Sequence, residues 1–194
     1  MIIKEKMNQM RKKTRITLDL TGFLCYNNHT RKYCHKAGWE RGIAMKLFHI
    51  ALVLGKGGFG TQLGEMLAEA GGYSRILYLD DQAPDAAGKL ADYLDPTIRE
   101  RCTAAFVGLG NNELRLQWLQ KLVAAGYQTP VFEHPAAEVC SSAALGAGTV
   151  VLPFAFVGAG TKVGAGCIIN AGAIVDHNAV LEDGVHAAPR ATIK

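Results

Sequence analysis

The sequence lacks three features that would assign it to a membrane or to the secreted proteins. No apolar run reaches the roughly 20 residues needed to cross a bilayer as a helix. The first residues do not resemble a signal peptide. The five cysteines show no paired spacing of the kind found in disulfide frameworks. We therefore expect a cytoplasmic protein with reduced cysteines and no membrane span.

Charge is distributed unevenly along the chain. Residues 1–44 hold ten Lys and Arg against three Asp and Glu, whereas residues 45–194 hold eleven against fourteen. The formal net charge of +4 therefore combines a basic head with a mildly acidic body. A balance of this kind does not indicate a nucleic-acid partner, and we expect none.

The basic head, residues 1–44, has no hydrophobic period that would build a core. We expect it to be a dispensable, disordered extension, because "MKLFHIALVLGKGGFG" restarts as a domain at Met45. Four metal-ligand types occur in the head, but their spacing matches no familiar zinc site. They are Cys25, His29, Cys34 and His35.

The last third of the chain repeats an aliphatic residue at every sixth position. A small or β-branched residue stands four positions after each of the first nine. A six-residue period fits neither a helix nor a plain strand. It predicts short strands joined by regular corners, stacked at about 4.8 Å over a continuous aliphatic column. The column is Val139, Leu145, Val151, Val157, Val163, Ile169, Val175, Leu181, Ala187 and Ile193.

The preceding segment has the order of elements of a Rossmann-like domain. "FHIALVLG" predicts a buried strand, "GKGGFG" a turn, and "TQLGEMLAEAGG" a helix. "RILYLDD" then predicts a second strand that ends in two acids. A glycine-rich turn between a strand and a helix can hold a phosphate on backbone N–H groups. The pattern is a weak sign of NAD, because such loops also bind nucleotide sugars.

A third strand, "CTAAFVGLG", leads into the helix "NNELRLQWLQKLVAAGY". Leu114, Trp118 and Leu122 have helical spacing and predict a core face. Asn111 has two interpretations, which are compatible. It can cap the helix, or it can stand with Arg115 at the carboxyl edge of the sheet, where open α/β folds bind ligands.

Five motifs together resemble one subfamily of the hexapeptide-repeat acyltransferases. They are "GKGGFG", "YLDD", "GLGNNELR", "EHPAAEV" and "INAGAIVDHNAVLEDGVH". The subfamily contains sialic acid O-acetyltransferases and nucleotide-aminosugar N-acetyltransferases, and "GNNELR" is most similar to enzymes acting on a UDP-4-amino-4,6-dideoxy sugar. The resemblance implies an α/β Rossmann-like domain over residues 45–134, which binds the nucleotide sugar. It also implies a partial left-handed parallel β-helix over residues 135–194, and a homotrimer.

The resemblance also implies roles for individual residues. The histidine matched by His177 takes a proton from the sugar amine, Asp176 orients its imidazole, and His186 lies near acetyl-CoA, the co-substrate. Two positions depart from the pattern, since some relatives carry histidine at Phe59 and others an acid at Asn178. The substrate-side residues would be Gly55, Gly57, Gly58, Asp80, Asp81 and Asn111.

A metal site on His177 and His186 is the alternative for this pair. The two histidines are nine residues apart, which is half of an eighteen-residue coil, so they should point to different sides of one chain. The repeat holds no third histidine, and we expect no metal.

The expected function is acetyl-CoA-dependent N-acetylation of a nucleotide-linked amino sugar in bacterial surface-glycan or glycoprotein biosynthesis. Two alternatives stay open at this stage: a sialic acid O-acetyltransferase, and a truncated, non-catalytic remnant that binds a sugar nucleotide. The second arises because the repeat is still in register at Ile193, where the sequence stops. On that ground we expect a C-terminal truncation and a weak or inactive enzyme.

Overall fold

A computed structural model describes Ile16–Leu18, Leu24–Tyr26 and residues 50–194. In the head, β1 (Ile16–Leu18) pairs antiparallel with β2 (Leu24–Tyr26). The predictions for the rest of residues 1–44, including the four metal-ligand types and the restart at Met45, lie outside the described residues. No helix within the described residues is long and apolar enough to span a bilayer.

Residues 50–124 form a small α/β domain with a three-stranded parallel sheet. The middle strand of the sheet is β3, flanked by β4 and β5. A helix, α1, connects β3 to β4, while a 3₁₀ helix and a short helix, α2, precede β5, and α3 follows it. The elements are β3 (Ile50–Leu54), α1 (Gly58–Glu69), β4 (Arg75–Leu79), the 3₁₀ helix (Leu90–Leu94), α2 (Pro96–Arg101), β5 (Cys102–Val107) and α3 (Asn112–Ala124).

The central strand β3 is buried along its whole length, which explains its continuous apolar sequence. Alternate side chains of a strand point to opposite faces of the sheet. Leu52 accordingly belongs to the cluster that contains Leu122 of α3, whereas Val53 belongs to the cluster that contains Leu63 of α1. The sheet therefore has a helix packed on each face.

Residues 132–193 form eleven two-residue strands, β6 to β16. Each strand pairs in parallel with the strand eighteen residues away, as Phe156 does with Ile174. The strands build three sheets, β6-β9-β12-β15, β7-β10-β13-β16 and β8-β11-β14, so that three hexads make one coil. They are Phe132–Glu133, Glu138–Val139, Ala144–Leu145, Val150–Val151, Phe156–Val157, Lys162–Val163, Ile168–Ile169, Ile174–Val175, Val180–Leu181, His186–Ala187 and Thr192–Ile193. The predicted fold class, a Rossmann-like domain followed by a left-handed parallel β-helix, is confirmed.

The predicted aliphatic column fills the interior of the β-helix. Val151, Val157 and Val175 are completely buried in one cluster with the small residues of the repeat. Two of those small residues are threonines, and each satisfies its buried hydroxyl on a backbone carbonyl. Thr149 donates to the carbonyl of Gly164, and Thr161 donates to the carbonyl of Asp176, both at 2.8 Å.

The corners of the coils have left-handed backbone at every sixth residue from 148 to 190. Five of these corners are glycines, which adopt a positive φ at little cost. The other three are Phe154, Asn178 and Arg190, with φ of 61°, 59° and 59°. A residue with a Cβ costs about 1–2 kcal/mol in this region, so the stacked coils impose the conformation on them.

Helix α3 packs on a column of three glycine corners, Gly148, Gly166 and Gly184, which we call the glycine column. A Cβ at Gly148 would lie 2.6 Å from Leu119, and a Cβ at Gly184 would lie 2.7 Å from Leu116. Glycine is therefore needed at these corners both for the positive φ and for the approach of the helix. This contact joins the small domain to the β-helix.

The predicted core face of α3 is wrong at its first position. Leu114 is 46% exposed and Trp118 is half-buried against Tyr93, whereas Arg115 and Leu119 are buried. The periodicity assumed that the helix packs on the sheet alone. Contact with the glycine column turns the buried face toward Arg115.

Candidate functional site

The glycine loop after β3 makes a tight turn and leaves an open surface. Gly55 has φ +93°, and a Cβ at Gly60 would lie only 2.0 Å from the carbonyl oxygen of Gly55. Gly57 and Gly58 differ, because a Cβ at either would meet nothing within 4 Å. Helix α1 starts at Gly58 with no side-chain cap and no acid in its first turn. An uncapped helix start beside unobstructed glycines is an arrangement suited to an anion.

Asp80 and Asp81 hold the loops around this surface. The carboxylate of Asp80 accepts from the backbone N–H of Lys56 at 2.7 Å and from those of Gln82 and Ala83 at 2.8 Å. The Lys56 bond is the largest of the effects that keep the pKa of Asp80 below its usual range. Asp81 accepts from the backbone N–H of Leu90 at 3.0 Å. Both carboxylates thus shape the binding surface through the backbone.

Lys56 is a charged residue of this surface that the sequence reasoning missed. Its Nζ forms an ion pair with Asp85 at 2.5 Å and lies 5.2 Å from the centre of the Tyr78 ring. The hydrogen bond from Lys56 is the largest effect that lowers the pKa of Asp85. The sequence feature that could have identified Lys56 is its position inside "GKGGFG", between the glycines that turn the chain.

Asn111 caps helix α3, as one of its two interpretations predicted. Its Oδ1 accepts from the backbone N–H of Leu114 at 2.9 Å. The residue follows β5, just as Gly55 follows β3 and Asp80 follows β4. The carboxyl ends of parallel strands lie at one edge of a sheet, so the structure brings these three predicted residues to a common edge.

A cavity of about 460 Å³ lies at the other edge of the sheet. It is lined by residues around Arg99, Cys102 and Tyr127. Burial raises the pKa of Tyr127 to about 12, and its hydroxyl donates to the carbonyl of Tyr93. Since Cys102 is the first residue of β5, the cavity is separate from the glycine loop.

His177 stands at a corner of the β-helix with its side chain 70% exposed. Asp176 accepts from the backbone N–H of His177 at 2.8 Å, but its oxygen is 4.0 Å from Nε2 of the ring. The side-chain nitrogen of Asn178 is closer, at 3.0 Å from Nδ1. Asp176 therefore holds the backbone of His177, and Asn178 holds its ring.

The preceding coil supports this corner from below. A Cβ at Gly158 would lie 2.5 Å from the backbone nitrogen of His177. The hydroxyl of Thr161 holds the carbonyl of Asp176 at 2.8 Å. Gly158 and Thr161 are part of the six-residue repeat in the sequence, but their contacts with the corner of His177 form only when the coils stack.

His186 lies on a different side of the β-helix from His177, as the spacing predicted. It belongs to β15, whose neighbour is β12, whereas His177 follows β13. Its Nε2 lies 2.9 Å from the side-chain nitrogen of Asn170. Burial, and secondarily the charge of Arg115, lower the pKa of His186. His177 and His186 thus lie on separate faces of the β-helix.

The described residues contain no group of three or more His, Cys, Asp and Glu side chains placed to hold a metal ion. Three other features are the candidates for binding and catalysis in this chain. They are the open N-terminus of α1, the imidazole of His177 on a supported corner, and His186 on another face.

Comparison with known proteins matches both halves of the chain. A family model for the PglD N-terminal domain matches residues 51–122. The acetyltransferase domain of PglB from Neisseria gonorrhoeae FA1090, solved in complex with acetyl coenzyme A, is 35% identical. The match covers 74% of this chain and 72% of that chain, with a TM-score of 0.69. No curated protein matched the chain at the significance required.

Two further solved structures extend the similarity. A histidine-to-asparagine variant of perosamine N-acetyltransferase from Caulobacter crescentus, in complex with CoA and GDP-perosamine, is 27% identical. That match covers 73% of this chain and 70% of that chain, with a TM-score of 0.68. WeeI from Acinetobacter baumannii AYE is 20% identical over 75% of this chain and 72% of that chain, with a TM-score of 0.58, and shares the fold.

Proposed function

The chain belongs to the family of acetyltransferases that carry a PglD N-terminal domain, and from this premise we propose that it N-acetylates a nucleotide-linked amino sugar with acetyl-CoA. The pathway we propose is bacterial surface-glycan or glycoprotein biosynthesis. Because both substrates are metabolites of the cytoplasm, we place the reaction there. One observation supports the proposal most directly: helix α1 begins without a side-chain cap beside two unobstructed glycines, and the β-helix exposes the side chain of His177 at a corner.

The nucleotide sugar would bind at the carboxyl edge of the small sheet. Its diphosphate fits the first N–H groups of α1, since Gly57 and Gly58 leave room for close approach. The positive Nζ of Lys56 lies at the same loop, where it adds to the attraction for phosphate. Asp80 and Asp81 contribute by fixing the loops, and Asn111 by fixing the start of α3.

His177 would act as the base. The sugar amine attacks the thioester carbonyl, the new N–C bond forms, and the C–S bond breaks. The imidazole takes the proton that the amine loses, and the thiolate of CoA leaves and is protonated. A histidine suits this step because imidazole titrates near neutral pH. Its exposed position lets an amine reach the ring.

Acetyl-CoA would bind beside His186, and we propose that more than one chain completes the site. His177 and His186 lie on different sheets of one chain, so a neighbour can bring the second histidine to the first. Large apolar side chains are exposed on the β-helix, as expected of a surface that a homotrimer covers. They are Phe154, Phe156, Ile174 and Val180, exposed by 77%, 37%, 44% and 72%.

Mass spectrometry of products tests the function directly. The chain is incubated with acetyl-CoA and one acceptor in each of three separate reactions. The acceptors are a UDP-linked 4-amino-4,6-dideoxy sugar, its GDP-linked counterpart and free sialic acid. We expect one acetyl group on the nitrogen of a nucleotide sugar, with release of one CoA thiol. Acetylation of sialic acid alone would assign an O-acetyltransferase. Nucleotide-sugar binding without transfer would assign a non-catalytic binding protein and overturn the proposal.

A further inference from the structure

Arg115 is a buried arginine that uses every donor of its side chain. Only 2% of its surface is exposed, although it lies in the first turns of α3. A guanidinium has five N–H donors, and five acceptors surround this one. Nε donates to the carbonyl of Gly166, Nη1 to those of Leu109 and Gly110, and Nη2 to that of Gly184 and to Oδ1 of Asn112, at 2.7–3.1 Å.

None of these five acceptors carries a charge. Burial lowers the pKa of Arg115, which shows that the positive charge is desolvated here. Burying a cation without a carboxylate partner is costly even when its hydrogen bonds are made. An apolar residue would leave these acceptors without donors, so the cost of burying the charge is offset only because one group meets all five of them.

The five acceptors come from two parts of the molecule with different proposed tasks. Leu109 and Gly110 belong to the loop that follows β5, at the edge where the nucleotide sugar would bind. Gly166 and Gly184 are stacked corners of the glycine column, one coil apart. Gly184 precedes His186 by two residues. One planar group therefore fixes the sugar-binding loop relative to the β-helix.

We propose that Arg115 is a positioning residue, which sets the distance and angle between the bound amino sugar and the acetyl-transfer groups of the β-helix. This role rests on the proposed function. The two substrates bind to separate structural units, and a displacement of about 1 Å between reacting groups can cost a hundredfold in rate. The planar fork of arginine fixes two directions at once, which the single ammonium of lysine does not.

Kinetics of Arg115→Lys test this role. We expect kcat to fall about tenfold or more, while KM for each substrate changes less than about threefold, because each unit keeps its own site. Asn112→Ala removes one of the five acceptors and should lower kcat in the same direction by a smaller factor. Arg99→Lys is the matched control, since Arg99 also donates to a carbonyl, that of Ala125, at the other edge of the sheet. It should leave kcat unchanged.

A purely structural role would lower the melting temperature and the folded fraction without changing kcat per folded enzyme. Unchanged kcat in folded Arg115→Lys, or in Asn112→Ala if the lysine variant fails to fold, would overturn the proposal. So would a rise in KM at constant kcat.

Amide hydrogen exchange separates this inference from the proposed function. In Arg115→Lys, or in Asn112→Ala, we expect the loop 109–112 and the corner 184–187 to exchange faster together, and Arg99→Lys to leave both unchanged. If the wild-type chain transfers no acetyl group, the proposed function fails and this measurement still decides whether Arg115 fixes the two segments. Unchanged exchange in either segment would show that it does not.

Discussion

The side-chain nitrogen of Asn178 lies 3.0 Å from Nδ1 of His177, and this contact decides which ring nitrogen can accept a proton. When the Asn178 amide donates to Nδ1, neutral imidazole carries its proton on Nε2. A half-turn of the amide places Oδ1 there instead, so that Nδ1 carries the proton and Nε2 is free to act as a base.

Asn178→Asp should make His177 a better base. A carboxylate presents only acceptors to Nδ1, so Nε2 is always free. We expect kcat to be retained or raised, because Nε2 is then always in the form that accepts a proton. Asn178→Gly keeps the left-handed corner, removes the amide, and should lower kcat about tenfold. Equal kcat for all three proteins would refute the orienting role.

His177→Ala should lower turnover by about two to four orders of magnitude, the usual contribution of a general base. Nucleotide-sugar binding should be nearly unchanged in calorimetry, because the proposed sugar site lies on the other structural unit. His134→Ala is a suitable control, since His134 follows β6 in the first coil of the β-helix, where its Nδ1 accepts from the backbone N–H of Ala136. Retained turnover in His177→Ala would show that His177 is not the base.

Gly158→Ala should lower kcat by displacing His177 from below. The added Cβ would lie 2.5 Å from the His177 nitrogen, so the corner must move. Gly71→Ala is the control, because a Cβ is unfavourable at its φ of +74° although it would meet nothing within 4 Å. Both variants should lose stability in thermal unfolding, and only Gly158→Ala should lose activity per folded enzyme. A similar loss in both would mean that the corner below His177 has no special role.

Gly58→Ala should separate binding from folding. Its Cβ meets nothing within 4 Å, so the free energy of unfolding should be unchanged or raised by about 0.5 kcal/mol. The same methyl group would stand where the diphosphate approaches α1, and we expect affinity for the nucleotide sugar to fall about tenfold or more. Gly72→Ala, also unobstructed, is the control. Calorimetry showing equal affinity for both variants would move the sugar site elsewhere.

The stability of the protein should fall in mild acid because of His186. Burial keeps the pKa of His186 in the folded protein below its ordinary value of 6.5, so the unfolded chain binds a proton more readily. Its contribution is present above pH 6.5 and is lost as the pH falls through the lower, folded value. Denaturation of wild type and His186→Gln between pH 7 and pH 5 should show the smaller change in the variant. Parallel curves would contradict this.

How far the sequence predicts the molecule depends on the range of the interactions involved. The residues from Val139 to Ile193 reveal the coils because each hexad repeats the same local geometry. The left-handed corners at Phe154 and Arg190 could not be predicted, since their own propensities oppose that backbone and the stacked coils impose it. The motif around His177 identifies the candidate base, but the contact with Asn178 depends on the shape of the corner.

The clearest failure concerns Leu114 and Arg115. Helical spacing favours leucine as the buried residue and places arginine in solvent, which is the usual outcome. The structure reverses them because α3 has a second partner, the glycine column, that presents carbonyl oxygens to a cation. No periodicity within the helix contains that information, since the carbonyls of Gly166 and Gly184 lie more than fifty residues further along the chain.

Because each strand pairs with the strand eighteen residues away, every coil of the β-helix has the same length and the same rise. Inserting one whole coil ahead of His177 would keep the histidine on the same flank and carry it one strand spacing, about 4.8 Å, along the axis of the β-helix. Inserting a single hexad would instead rotate it by a third of a turn, onto another sheet. Changes in the length of this segment can therefore move the imidazole of His177 only in discrete steps, each with a fixed rise along the axis and a fixed rotation about it. The distance between this histidine and a proposed sugar substrate would change in the same discrete steps.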